Sequence, residues 1–90
     1  HCNFSGSNLS GSSFKNSLLI GTIFNNTNLD GVKFENANLS YSDMRGAILK
    51  NADFSRANLN EAIFFSKDIQ YLTLDDEQKK NLILVDIDAT

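Results

Sequence analysis

The 90-residue chain has no proline, no tryptophan, one cysteine, one methionine and one histidine. A single cysteine cannot form an internal disulfide and says little about redox compartment. The lack of proline suits a chain whose backbone donors are nearly all used in β-ladders. No stretch approaches the roughly 18 consecutive apolar residues of a membrane span. No basic segment followed by an apolar run opens the chain, so no signal peptide is expected and a cytoplasmic location is. The net charge is −3. Up to residue 66 the acids Asp30, Glu35, Asp43, Asp53 and Glu61 balance Lys15, Lys33, Arg45, Lys50 and Arg56, and the excess lies in the acidic residues 67–90. The balanced part has neither a basic stripe for phosphates nor an acidic field that would imitate DNA.

What the chain does have is a period of five. Phe4, Leu9, Phe14, Leu19, Phe24, Leu29, Phe34, Leu39, Met44, Leu49, Phe54, Leu59 and Phe64 mark thirteen consecutive five-residue units. Two residues before each stands a small one: Cys2, Ser7, Ser12, Ser17, Thr22, Thr27, Val32, Ala37, Ser42, Ala47, Ala52, Ala57 or Ala62. Five matches neither the helical period of about 3.6 nor the strand period of 2. If successive large residues all point inward, the chain bends once per unit. Four such bends close a square coil of 20 residues, and coils stack at the strand spacing of about 4.8 Å. At that spacing Phe14, Phe34 and Phe54 share one side, and Leu19, Leu39 and Leu59 the next. Phe4, Phe24, Met44 and Phe64 share the third, and Leu9, Leu29 and Leu49 the fourth. The small residues are expected to fill the inward space between large ones. Those flanking the large residue are expected to point outward and vary freely. Gly or Asn at most corner positions suits tight turns, a habit broken by Tyr41, Arg56, Glu61 and Ser66.

Units such as Ala37-Asn38-Leu39-Ser40-Tyr41, Ala52-Asp53-Phe54-Ser55-Arg56 and Ala57-Asn58-Leu59-Asn60-Glu61 resemble the A-(D/N)-L/F-x-x signature of the pentapeptide-repeat family. The resemblance covers residues 2–66. It departs from the signature where Ser or Thr replaces Ala, and where Leu18, Ile23, Ile48 and Ile63 replace the polar second residue. It implies an all-β solenoid, a right-handed quadrilateral parallel β-helix of about three coils with a short C-terminal capping helix.

Two regions are expected: residues 1–66 as the β-helix, and 67–90 as a distorted last unit, a capping helix and an acidic tail. A distorted unit is expected over 67–71. Thr73-Leu74-Asp75-Asp76 reads as a helix start with Thr73 as N-cap, opening a helix over roughly 74–84. Ile63 and Phe65 are expected to support that lid. The first unit lacks its earlier part and the chain stops abruptly after Val85-Asp86-Ile87-Asp88-Ala89-Thr90, which suggests a piece of a longer protein.

No catalytic, cofactor-binding or metal-binding constellation is expected. His1 and Cys2 are adjacent, but one histidine and one cysteine are too few for a zinc site or a nucleophile pair, and Cys2 is expected to pack inward. Asp86 and Asp88 read as solvated acids rather than a cation site. Asn-x-Ser/Thr sequons at Asn3, Asn8, Asn25 and Asn38 arise from repeat composition. The better lead is an outward apolar group around one corner, Leu18, Ile20, Ile23 and Tyr41, read as a partner-contact patch. The expected function is a non-enzymatic protein–protein interaction scaffold whose partner is another protein or other domains of a parent chain, with no nucleic acid, membrane or cofactor. The resemblance suggests two further readings. One is a β-helix module of a bacterial effector delivered into host cells, such as a HECT-like ubiquitin ligase. The other is a DNA-mimicking gyrase-binding protein, for which the balanced charge is a poor fit.

Overall fold

The backbone of the computed structural model, which describes residues 2–87, repeats every 20 residues. Parallel bridges join Asn3 to Ile23, Asn8 to Asn28, Ser13 to Lys33 and Leu18 to Asn38, and the four columns continue to Asp43, Ile48, Asp53 and Asn58. Within each side, neighbouring residues bond in opposite directions along the axis. The N–H of Leu29 donates to the carbonyl of Ile48 at 2.9 Å, and that of Asn28 to the carbonyl of Ser7 at 2.9 Å. The chain is therefore a four-sided parallel β-helix.

Each corner is a β-turn in which the carbonyl of the large residue accepts from the N–H three residues on, as Phe24 does from Thr27 at 3.2 Å. The third residue of such a turn takes positive φ, which favours Gly or Asn. Tyr41, Arg56 and Glu61 hold that same conformation, with φ of 62°, 58° and 62°. The ladders on either side dictate it, against an intrinsic cost of roughly 1–2 kcal/mol for a residue with a Cβ. At Gly46 a Cβ would meet Asn26 Oδ1 at 2.3 Å, so a side chain there would need the exposed Asn26 side chain to turn aside.

The expected columns form the core. Phe34 and Phe54 stack with ring centroids 5.3 Å apart and 16° between planes, Phe14 and Phe34 at 5.6 Å and 16°. Phe24 meets Phe34 edge-on across the interior at 5.6 Å. Phe24, Leu29, Phe34, Leu39, Met44 and Phe64 are fully buried, as are the small inward residues Thr22, Thr27, Val32, Ser42 and Ala62. Cys2 departs from expectation: its small position is exposed because it lies in the first coil. Phe4, Leu9 and Phe14 of that coil are only partly buried for the same reason.

Where the second residue of the unit is Asn or Asp, it caps the turn that follows. The side chains of Asn3, Asn8, Asn28, Asn38, Asp43, Asp53 and Asn58 each accept the N–H two residues on, at 2.9–3.1 Å. That N–H takes no part in the ladder, so the polar side chain satisfies a donor that the fold leaves over.

The C-terminal region differs from expectation in detail. Strand β1, Ile63–Phe65, runs into a 3-10 helix over Ser66–Tyr71 in place of the distorted unit. Helix α1 spans only Asp76–Lys80, and its N-cap is Asp75, not Thr73. Asp75 accepts from the Gln78 N–H while Gln78 Oε1 accepts from the Asp75 N–H, a reciprocal box that Thr73 is too far upstream to make. The residues read as the helix's last turn form strand β2, Ile83–Val85, parallel to β1 with Ile63 opposite Ile83. Ile63 and Phe65 are thus half-buried strand residues.

The 20-residue register therefore survives a stretch with no repeat signature. Ile69 and Leu74, still on the five-residue grid, pack against the core from helical and irregular backbone. Gln78 explains how the ladder is completed. Each carbonyl such as Ala37's accepts from the N–H of the residue 21 further on. For Ala57 that residue is Gln78, whose N–H is already used by the cap, and its side-chain Nε2 donates instead, 3.1 Å to Ala57 O and 2.7 Å to Phe54 O.

Candidate functional site

The β-helix turns four outward faces to solvent, and they differ in chemistry. On the Phe14–Phe34–Phe54 side, residues 20 apart pair across coils: Lys15 Nζ lies 3.6 Å from Glu35, and Arg56 Nε donates to Asn36 Oδ1 at 3.0 Å. Asp53 titrates below the usual carboxylate range because the Ser55 hydroxyl and N–H bond it, with Lys15 and Lys33 adding favourable charge. On the Met44 side, Arg45 grips Asp43 through Nε and Nη2, the latter at 2.6 Å. Burial pushes the Asp43 carboxyl up, but the bonds from Arg45 and Asn25 together outweigh it and hold the group below its ordinary value. These faces are covered by internally paired charge.

The side built on Leu19, Leu39 and Leu59 is different. Its outward columns are Leu18–Asn38–Asn58 and Ile20–Ser40–Asn60, and its far corner column is Gly21–Tyr41–Glu61. Leu18 is 76% exposed, Tyr41 60% and Ile20 41%. Leu18 and Ile20 are thus open at one end of this face, and Tyr41 at its corner one coil further along. The fourth residue of the expected patch, Ile23, is half-buried. It belongs to the next side, beyond the Gly21 corner, and is bridged by Asn3 below and Asp43 above. Leu18 and Ile23 also lack the carboxamide that would accept the following N–H, so the apolar residues here cost the fold a hydrogen bond.

At the other end of the same face lies a cleft of about 400 Å³ lined by Ala57, Asn58, Leu59, Asn60, Glu77, Gln78 and Asn81. It is formed where α1 passes beside the last regular coil. Nothing in the repeat pattern announces it, because that pattern has ended at α1 and the pairing is tertiary. Exposed Ile48 was legible as a departure from the polar second position, whereas exposed Tyr71 falls beyond the repeat; Tyr71 lines a second cleft of about 330 Å³ with Leu49, Lys50, Asn51 and Asp68. Asp86 accepts a bond from the Ser66 hydroxyl, 20 residues earlier. His1 and Asp88 lie outside the described residues. Among the described residues there is no group of three or more metal-ligating side chains, and no helix is long and apolar enough to cross a membrane.

A solenoid built on a five-residue unit, with a small inward residue, an Asn or Asp that caps the following N–H, and a large inward residue, is a pentapeptide β-helix. The family profile for pentapeptide repeats matches in eight copies over residues 1–36 and 27–64. The chain belongs to the pentapeptide-repeat family. It is similar to the pentapeptide-repeat protein Rfr23 from the cyanobacterium Cyanothece 51142, at 26% identity and a TM-score of 0.61, over 87% of this chain and 44% of that one. It also shares its fold with QnrB1, a plasmid-mediated fluoroquinolone resistance protein, at 18% identity and a TM-score of 0.53, over 92% of this chain and 38% of that one. The chain spans less than half the length of either. A search of curated proteins found no match.

Proposed function

We propose that this chain is a non-catalytic scaffold for protein–protein interaction, in which about three coils are closed at one end by α1 acting as a cap and one face carries the contact. The observation that carries this reading is Tyr41. It places a bulky aromatic side chain on a left-handed corner where Gly or Asn would be cheaper, and leaves it mostly exposed. Strain of this kind is retained where the surrounding structure enforces it and function uses it. The exposed Leu18 and Ile20, one coil away on the same face, add apolar area, and Leu18 again at a cost to the fold. The described side chains offer no activated nucleophile or general base that would favour an enzyme. The balanced charge of the coils speaks for protein rather than a DNA-like role.

Affinity capture with the folded chain as bait tests the reading. A partner retained by the wild type and by Asp30→Ala, and lost with Tyr41→Ala or Ile20→Asp, supports it. A partner indifferent to both substitutions removes the patch from the account.

A further inference from the structure

Among the described residues, three corners hold positive φ with a residue that is neither Gly nor Asn: Tyr41, Arg56 and Glu61. All three stand at the two corners of one side, the one built on Leu19, Leu39 and Leu59, where Arg56 precedes the third coil's stretch and Tyr41 and Glu61 follow the second's and third's. The same side is the one whose outward columns, Leu18–Asn38–Asn58 and Ile20–Ser40–Asn60, carry no charge. Neither Arg56 nor Glu61 takes part in an ion pair among the described residues. We infer that this side is a self-association surface, on which a second copy of the chain packs face to face about a two-fold axis parallel to the solenoid axis. The inference rests on the scaffold reading and names the partner as the chain itself.

Such an axis keeps each coil level with its counterpart and exchanges the two columns and the two corners. Leu18 then meets Ile20 of the second copy, and Ile20 meets Leu18, so the exposed aliphatic side chains of the first coil cover one another. In the third coil Arg56 meets Glu61 of the second copy, twice over. Asn58 Oδ1 is spent on the Asn60 N–H at 3.0 Å, which leaves the Asn58 amide hydrogens to donate to the Asn60 side chain opposite. One level higher, α1 runs from Asp76 and Glu77 to Lys79 and Lys80, and the rotation sets its acidic start against the basic end of the other α1. A two-fold axis along the strands would set the first coil on the third instead. Leu18 would then face Asn58 and Arg56 would face Asn16, with no charge paired, so the side's own pattern selects the axis.

Tyr41 supplies the central contact. Arg56 Nε donates to Asn36 Oδ1 at 3.0 Å, a bond that draws the guanidinium toward the second coil. Asn36 is the corner that the axis brings opposite Tyr41. The open Tyr41 ring thus finds the guanidinium of the second copy at its own level, where a planar cation stacks on an aromatic face. The floor between these corners is low: the Ser40 hydroxyl and N–H are both tied to Asn38 Oδ1, and Ser40 is buried. Two such faces can approach to the usual sheet-packing distance of about 10 Å. Counting α1, the side is four levels tall and about five residues wide, so the pair buries on the order of 600 Å². That is below the roughly 1,200 Å² of stable complexes, and the dimer is a weak one that forms at high protein concentration.

The test is sedimentation of the chain between about 10 µM and 1 mM, the range of a weak complex, with ¹⁵N amide shifts followed over the same series. The mass is expected to rise from 10.0 kDa toward twice that value, with concentration-dependent shifts at residues 18–20, 36–41 and 56–61. Arg56→Glu alone and Glu61→Arg alone each set like charges opposite one another at both corners, and each is expected to weaken self-association at least about fivefold. An equimolar mixture of the two variants restores opposite charges at both corners and is expected to associate more tightly than either variant by itself. Lys33→Glu, on the Phe14 side, changes net charge as Arg56→Glu does and is expected to leave association unchanged. Spectra that match the wild type away from the substituted side show that the variants are folded. No concentration dependence up to about 1 mM, shifts confined to other sides, or a mixture no tighter than the single variants would each overturn the inference. A partner captured through Tyr41 by a chain that does not self-associate would leave the scaffold reading standing and this one refuted.

Discussion

The hydroxyl of Thr27 donates a 2.8 Å hydrogen bond to the carbonyl of Phe4, in the coil below. Ser42 occupies the same inward position three units later, is equally buried, and its hydroxyl bonds nothing among the described residues. A buried hydroxyl without a partner costs on the order of 1–3 kcal/mol. Ser42→Ala is therefore expected to stabilise the chain, by about 0.5–2 kcal/mol after the loss of its packing contacts. Thr27→Val, which orphans no donor but removes a made bond, is expected to cost about 1 kcal/mol. Urea unfolding of the two variants checks the opposite signs.

Inward and outward positions should differ sharply. Phe34 is fully buried between the rings of Phe14 and Phe54. Phe34→Ala is expected to cost roughly 3–5 kcal/mol. Asp30 flanks a large residue on the outer surface, and Asp30→Ala is expected to stay within about 0.5 kcal/mol of wild type. Similar losses for both would contradict the inward assignment.

The patch should be a place where stability was given up. Leu18→Asn restores the side-chain acceptor that Asn38 and Asn58 provide in the same column, and is expected to gain about 1 kcal/mol. Tyr41→Asn keeps φ of 62° with a residue that tolerates it, and is expected to gain up to about 1 kcal/mol. Both should weaken partner binding. Thermal unfolding beside a binding assay shows whether the two properties move in opposite directions.

Asp43 gives a pH dependence. Its carboxyl titrates lower in the fold than its ordinary value of 3.8. The ionised form is thus the one the fold prefers. Its contribution is fully present above the ordinary carboxylate range and is lost as pH falls through the lowered folded value. Asp43→Asn should be less stable than wild type near neutral pH, and the gap should narrow below about pH 4. Unfolding midpoints measured across that range test the sign.

The sequence made the coil legible because a solenoid encodes the same contact thirteen times. Position in the unit alone told Phe24, Leu39 and Ala62 to point inward. The role of the second residue was less visible: Asn38 looks like any exposed polar residue until its bond to the Ser40 N–H is seen. Past Phe64, local helix rules favour Thr73 as the cap and a helix over roughly 74–84. The ladder overrode those rules by drawing Ile83 into register with Ile63, and Gln78 served the cap and the coil at once. The exposure of Leu18, Ile20 and Tyr41 follows from their outward or corner positions in the unit. Ile23 is half-buried, and that coverage depends on neighbours 20 residues away in both directions. The cleft needed the path of α1, which no periodicity announces.

The measurement that bears most directly on the fold is a through-space NMR map of backbone amide and aromatic protons. The 20-residue register predicts cross-strand contacts of Asn28 with Ile48 and of Lys33 with Asp53, and ring contacts linking Phe14, Phe34 and Phe54 in sequence. Contacts at any other constant offset, or three phenylalanine rings that see only solvent, would contradict it.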